Sequence, residues 1–130
     1  HFHINSGPGG VCYDGSPSQP MDYGRILGVE SYVQKKGVKT GVIFNAFHDK
    51  HYGSSNPDRE TANRLAYENT IEFYRGYLKT RGDCNHVVFQ TWQPYPDETG
   101  PEEKPYTVLN MFKDLIEIYH KQSLRKSNNK

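Results

Sequence analysis

The stretch Lys39-Thr40-Gly41-Val42-Ile43-Phe44-Asn45-Ala46 decides how the chain reads. Its centre, Val42-Ile43-Phe44, is a continuous apolar run without polar alternation. A strand buried on both faces reads this way, as in a parallel sheet with helices packed outside it. Residues 47–55 then form a loop carrying His48, Asp49, His51 and Tyr52. Asn56-Pro57-Asp58 marks a helix start: Asn can cap, Pro suits the first helical position, and Asp complements the helix dipole. That helix runs to about residue 80, with Ala62, Ala66, Thr70, Phe73 and Tyr77 along one face, and Gly82 closes it.

The same order of elements recurs on both sides of this unit. Upstream, His1-Phe2-His3-Ile4-Asn5 alternates like a short strand and stops at the breakers Ser6-Gly7-Pro8-Gly9-Gly10. A loop through Cys12, Tyr13, Asp14 and Pro17 leads to a helix over about 21–36, with Tyr23, Ile26, Leu27 and Val33 at helical spacing and Gly37 as its stop. Downstream, His86-Val87-Val88-Phe89-Gln90-Thr91-Trp92 reads as a strand, and residues 93–104 as a Pro-rich loop. Pro105 fits the first turn of a last helix with Val108, Phe112, Leu115 and Tyr119 on one stripe. The expected fold class is therefore α/β, three consecutive parallel βα units with right-handed crossovers. A barrel of this type needs eight strands, and a three-stranded sheet leaves two open edges. Residues 1–121 are thus expected to be a partial (βα) barrel, completed by another part of the parent chain or by a second copy. Residues 122–130, where Arg125, Lys126 and Lys130 sit among Ser and Asn, are expected to form a flexible basic tail.

Composition narrows the partners. A chain of 130 residues suits one domain. Its 16 basic and 15 acidic residues give no electrostatic reason to expect nucleic acid or an anionic membrane. No apolar run approaches the roughly 20 residues that span a bilayer, so a soluble chain is expected. It starts at His1 with no leader in front, which reads as a processed chain or an excised fragment. Cys12 falls after the first strand and Cys84 before the third, at opposite ends of a parallel sheet, too far apart for a disulfide. Ten Tyr, six Phe and one Trp beside eight Pro and twelve Gly suit a secreted, extracellular, sugar-handling protein.

In parallel α/β folds the loops after the strands form the working face. Here those loops are longer and more decorated than the returns at Gly37-Val38 and residues 82–85. They bring forward Asn5, Asn45, His48, Asp49, His51, Gln90, Trp92 and Tyr95. Trp92, between Gln90 and Gln93 and before Pro94-Tyr95-Pro96, offers an aromatic plane flanked by amides. A sugar ring has the matching apolar face and hydroxyl rim; a Trp that merely plugs the end of the sheet is the plainer alternative.

Phe89-Gln90-Thr91-Trp92 ending a strand, followed by a Pro-rich loop and an amphipathic helix, resembles the closing βα unit of TIM-barrel glycoside hydrolases, and Gly41-Val42-Ile43-Phe44-Asn45 resembles their penultimate strand. The resemblance covers roughly residues 1–120 and implies a hydrolase of O-glycosyl bonds, acting without a cofactor on a polysaccharide or oligosaccharide. Asn5, Asn45, His48 and Gln90 would then bond sugar hydroxyls while Trp92 and Tyr95 stack on the rings. The chain departs from the family at Asn45, where many retaining members carry a nucleophilic Glu. Glycoside hydrolysis needs two carboxyl groups flanking the bond. Asp49 is the nearest one, and Asp97, Glu98 and Glu102 lie in the third loop, Glu98 being the second candidate taken forward.

Two other classes stand beside this one. His1 and His3 alternate on one strand and share a face, which resembles the metal site of amidohydrolase-type barrels; a metal-dependent hydrolase using His1 and His3 is the alternative enzyme. A free amino terminus with His3 would also bind Cu(II) or Ni(II) incidentally. His86 and His120 read as ordinary, one at a strand start and one at a helix end. A non-catalytic, carbohydrate-binding fragment is the third class. The chain has no Gly-rich phosphate loop, no nucleophile elbow and no Asn-x-Ser/Thr sequon.

Overall fold

The computed structural model describes residues 2–6, 23–45, 58–80, 84–90 and 94–127. The elements are β1 (Phe2–Ser6), α1 (Tyr23–Lys35), β2 (Thr40–Asn45), α2 (Arg59–Lys79), β3 (His86–Gln90) and α3 (Val108–Ser127). The apolar run of β2 takes the central place in a sheet of order β1-β2-β3, both pairings parallel. Asn85 ties the lower ends of the two strands together: its side-chain oxygen accepts from Thr40 N–H, and its own N–H donates to the Thr40 carbonyl, both at 2.9 Å.

Side chains alternate across a strand, and β2 uses that alternation unevenly. Val42 and Phe44 are fully buried, whereas Ile43 is only half-buried. Phe44 sets its ring edge-on to Tyr74 at 5.2 Å and Tyr77 at 5.7 Å, both from α2, and lies 5.9 Å from Phe89 of β3. Ile26 of α1 and Met111 and Leu115 of α3 complete one core cluster with these residues. All three helices therefore gather on the Val42/Phe44 side. The expectation of burial on both faces is corrected to burial on one.

The expected fold class is overturned as well. The structure is a small α/β fold with an open sheet, not a run of three βα units from a TIM barrel. Nothing among the described residues closes β1 towards β3, and each has one edge unpaired. The third helix departs most from the plan. In a barrel each helix lies on the sheet, but α3 packs chiefly on α2, where the Tyr67 hydroxyl donates to Asp114 and the Tyr67 ring meets Tyr106 edge-on at 5.6 Å. The description of residues 1–121 as a partial barrel domain falls with this. Helix α3 also continues to Ser127, into the segment expected as a tail.

The helix ends show which sequence signals operate. Helix α1 closes on Gly37, whose φ of 74° suits a residue without Cβ. Val38 N–H donates to Val33 O at 3.3 Å and Gly37 N–H to Gln34 O at 2.9 Å, the paired bonds of a Schellman stop. Asp58 caps α2, its carboxylate accepting from Thr61 N–H at 3.0 Å, so the cap is Asp58 and not Asn56. Helix α3 starts at Val108, later than Pro105 suggests. Thr107 caps it, accepting from Asn110 N–H at 3.3 Å, while Val108 and Leu109 donate to the carbonyls of Glu98 and Thr99. The first turn of α3 is thereby satisfied by the loop that precedes it.

Candidate binding site at the strand ends

Register brings the polar positions together. Asn45 of β2 pairs with Gln90 of β3 at the C-terminal end of the sheet, and Asn5 of β1 pairs with Ile43 two rows below. In the two-residue period of a strand, Asn45 and Gln90 fall out of phase with Val42 and Phe44. The Asn45–Gln90 pair stands at the carboxyl ends of parallel strands, the place where such folds bind ligands. Gln90 is half-buried there, and so is Tyr95 beyond the strand. Of the other expected site residues, His48 and Asp49 (within 46–57), Trp92 (within 91–93) and His1 lie outside the described residues, as does Cys12. His3 is placed by backbone in β1, in register with Gly41.

The loop after β3 is fastened to the start of α2. Arg59, the first residue of that helix, donates through Nε to Asp97 and through Nη2 to Glu98 at 2.9 Å. Asn63, one turn on, donates to the Asp97 carboxylate at 2.9 Å and accepts the Asp97 N–H at 2.9 Å. Lys104 closes the group on Glu98 at 2.6 Å. The hydrogen bonds from Arg59 and Asn63 hold the Asp97 carboxyl below its ordinary value of 3.8, and the same contact raises Arg59. Asp97 is thus poorly suited to hold a proton as a general acid near neutrality. Glu98, taken from the sequence as a catalytic candidate, stands between two cations where it anchors the loop. Arg59 and Asn63 were not expected in this region; their only sequence signal is a four-residue spacing in the first turns of a helix that begins at the C-terminal end of the strands.

A second polar cluster lies at the opposite end of the fold. Glu30 of α1 is 3% exposed. It accepts from the Tyr77 hydroxyl at 3.0 Å and from Gln34 Nε2 at 3.3 Å, while Gln34 also donates to Thr40 Oγ1 at 3.0 Å. Burial pushes the Tyr77 phenol and the Cys84 thiol up. The cluster links α1, α2 and the start of β2 through these hydrogen bonds. Among the described residues no three His, Cys, Asp or Glu side chains converge on a point that a metal ion could fill, and no helix is long and apolar enough to cross a membrane. Neither protein-family models, nor curated proteins, nor solved structures give a match to the chain, so the chemistry of the strand ends is read from their own residues.

Proposed function

We propose that the chain is a carbohydrate-active protein that binds an oligosaccharide or polysaccharide across the C-terminal ends of its strands and serves the hydrolysis of a glycosidic bond. The observation that carries this reading is the register pair Asn45–Gln90, an amide on each of two adjacent strand ends, with Trp92 and Tyr95 next along the chain. Amides donate and accept toward vicinal hydroxyls, and an aromatic plane takes the CH face of the ring. In this reading Asn5, Asn45, His48 and Gln90 bond hydroxyls, Trp92 and Tyr95 stack, and Asp49 is the leading carboxylate. Glu98 keeps a secondary place, because Arg59 and Lys104 already occupy it. The second carboxyl group that glycoside hydrolysis requires is assigned to another part of the parent protein or to a second copy. No metal or other cofactor enters this mechanism. Extracellular action fits the aromatic, Gly- and Pro-rich composition.

Trp92 is the chain's single tryptophan, so its emission reports on the proposed platform directly. Titration with soluble oligosaccharides of different linkage is expected to give a saturable change for one class, with Trp92→Ala folded but unable to bind by calorimetry. No binding by the native chain, or unchanged binding by Trp92→Ala, overturns the reading. Product analysis with the same sugars separates a hydrolase from a module that only binds.

A further inference from the structure

We propose that the groove between α2, the start of α1 and α3 binds a short peptide by both of its free termini, the ammonium towards the middle of α2 and the carboxylate towards its end. The groove has a volume of about 560 Å³ and is lined by Tyr23 of α1, Tyr67, Ile71 and Gly76 of α2, and Asp114 of α3. That volume falls within the range of about 300–1,000 Å³ typical of small-ligand sites. Ile71 is its buried apolar part, with the half-buried rings of Tyr23 and Tyr67 beside it. Gly76 stands inside α2, where glycine weakens a helix. A Cβ there would lie 2.8 Å from Cε2 of Tyr23 and closer still to its Cζ and hydroxyl. The glycine therefore lets the Tyr23 ring come against the helix as a wall of the groove.

Charge is segregated along this groove. Glu68, Glu72, Arg75 and Lys79 recur at i, i+4, i+7 and i+11 and share one stripe of α2. Like charges meet at both four-residue steps, an arrangement that costs a helix stability. Arg75 and Lys79 are exposed, and neither cationic head has a hydrogen bond or ion pair among the described residues. Together they suit a carboxylate. At the other end Glu68 accepts from Arg64 at 2.8 Å and Asp114 accepts from Tyr67, while Glu72 has a partner of its own. A carboxylate has about four acceptor sites, so each keeps room for one of the three donors of an ammonium. The acidic and basic pairs are centred on residues 70 and 77, about 10 Å apart at the helical rise. An extended chain covers that distance in about three residues. The middle side chain of such a peptide would meet Ile71 and the two tyrosine rings, which favours an aromatic one. A simple anion leaves the acidic end unanswered, and a simple cation the basic end. The site uses none of Trp92, Asn45 or Gln90, so it is independent of the sugar reading.

The test is calorimetric titration of the full chain with the tripeptide Ala-Phe-Ala, its N-acetyl form and its C-terminal amide. The free tripeptide is expected to bind with one-to-one stoichiometry and to weaken as salt is added. Each blocked form should bind at least about ten-fold less tightly. The double variant Arg75→Ala/Lys79→Ala, which changes two exposed side chains and keeps helix content by circular dichroism, should lose binding. Gly76→Ala should weaken it by displacing Tyr23; if that variant fails to fold, the Arg75/Lys79 variant decides. Trp92→Ala should bind the tripeptide like the native chain. Absence of saturable binding, undiminished binding of either blocked form, retention in the Arg75/Lys79 variant, or loss in Trp92→Ala overturns the site.

Discussion

The Tyr77 hydroxyl donates to the buried carboxylate of Glu30 at 3.0 Å, a bond that joins α2 to α1 beneath the start of the sheet. The same oxygen accepts the Cys84 N–H at 2.9 Å, just ahead of β3. One phenol thus holds two helices and a strand lead-in. Removing it leaves a buried carboxylate and a backbone N–H each short of a partner, which is costlier than losing an ordinary hydrogen bond. Tyr77→Phe keeps the ring and its contact with Phe44. It is expected to destabilise the chain by about 1–3 kcal/mol, measured by urea denaturation; a change within a few tenths would show that water takes over the role.

Helix α3 reaches the core through Met111 and Leu115, both fully buried. If its docking on α2 is part of the cooperative fold, Leu115→Ala should cost about 2–5 kcal/mol, the range for a buried leucine cut to alanine. The neighbouring Ile116, which is 51% exposed, provides the control: Ile116→Ala should change stability by less than about 0.5 kcal/mol. Equal effects at both positions, read from denaturant midpoints, would place α3 outside the cooperative unit.

The Arg59–Asp97 pair makes a pH prediction. The folded carboxyl of Asp97 titrates below its ordinary value of 3.8. Its contribution is therefore complete above about pH 3.8 and is lost as pH falls through the folded value. Both partners meet solvent, with side chains 27% and 63% exposed, so the effect is small and falls with salt. Unfolding midpoints for the native chain and Asp97→Asn should differ at pH 6 in low salt and converge towards pH 2. A gap that widens on acidification would reverse the assignment.

Some of this organisation was legible in the residues and some was not. The stripe Ala62, Ala66, Thr70, Phe73, Tyr77 is buried along α2 as its spacing predicts, because an amphipathic period encodes its own buried face. The run Val42-Ile43-Phe44 marked the central strand but misled about its surroundings. An apolar triplet reads alike whether one face is covered or two, and only packing shows Ile43 half-buried. In α3 the stripe anticipated Leu115 but missed Met111, since a helix docked on another helix is turned by its neighbour's grooves as well as by its own period. Glu30 was overlooked because a carboxylate is read as solvent-facing, although it stands at helical spacing from Ile26 and Leu27. The link between Asn63 and Asp97 crosses 34 positions, beyond the reach of any local pattern.

The reciprocal bonds between Asn63 and Asp97 also bear on Tyr95. Only the buried Pro96 separates Tyr95 from that anchored residue. The proposed sugar-stacking ring therefore inherits its height above the strand ends from the first turns of α2 as much as from β3. A rotation of α2 would carry Asp97 with it, and Tyr95 two residues before, while the Asn45–Gln90 register pair stayed fixed by the sheet.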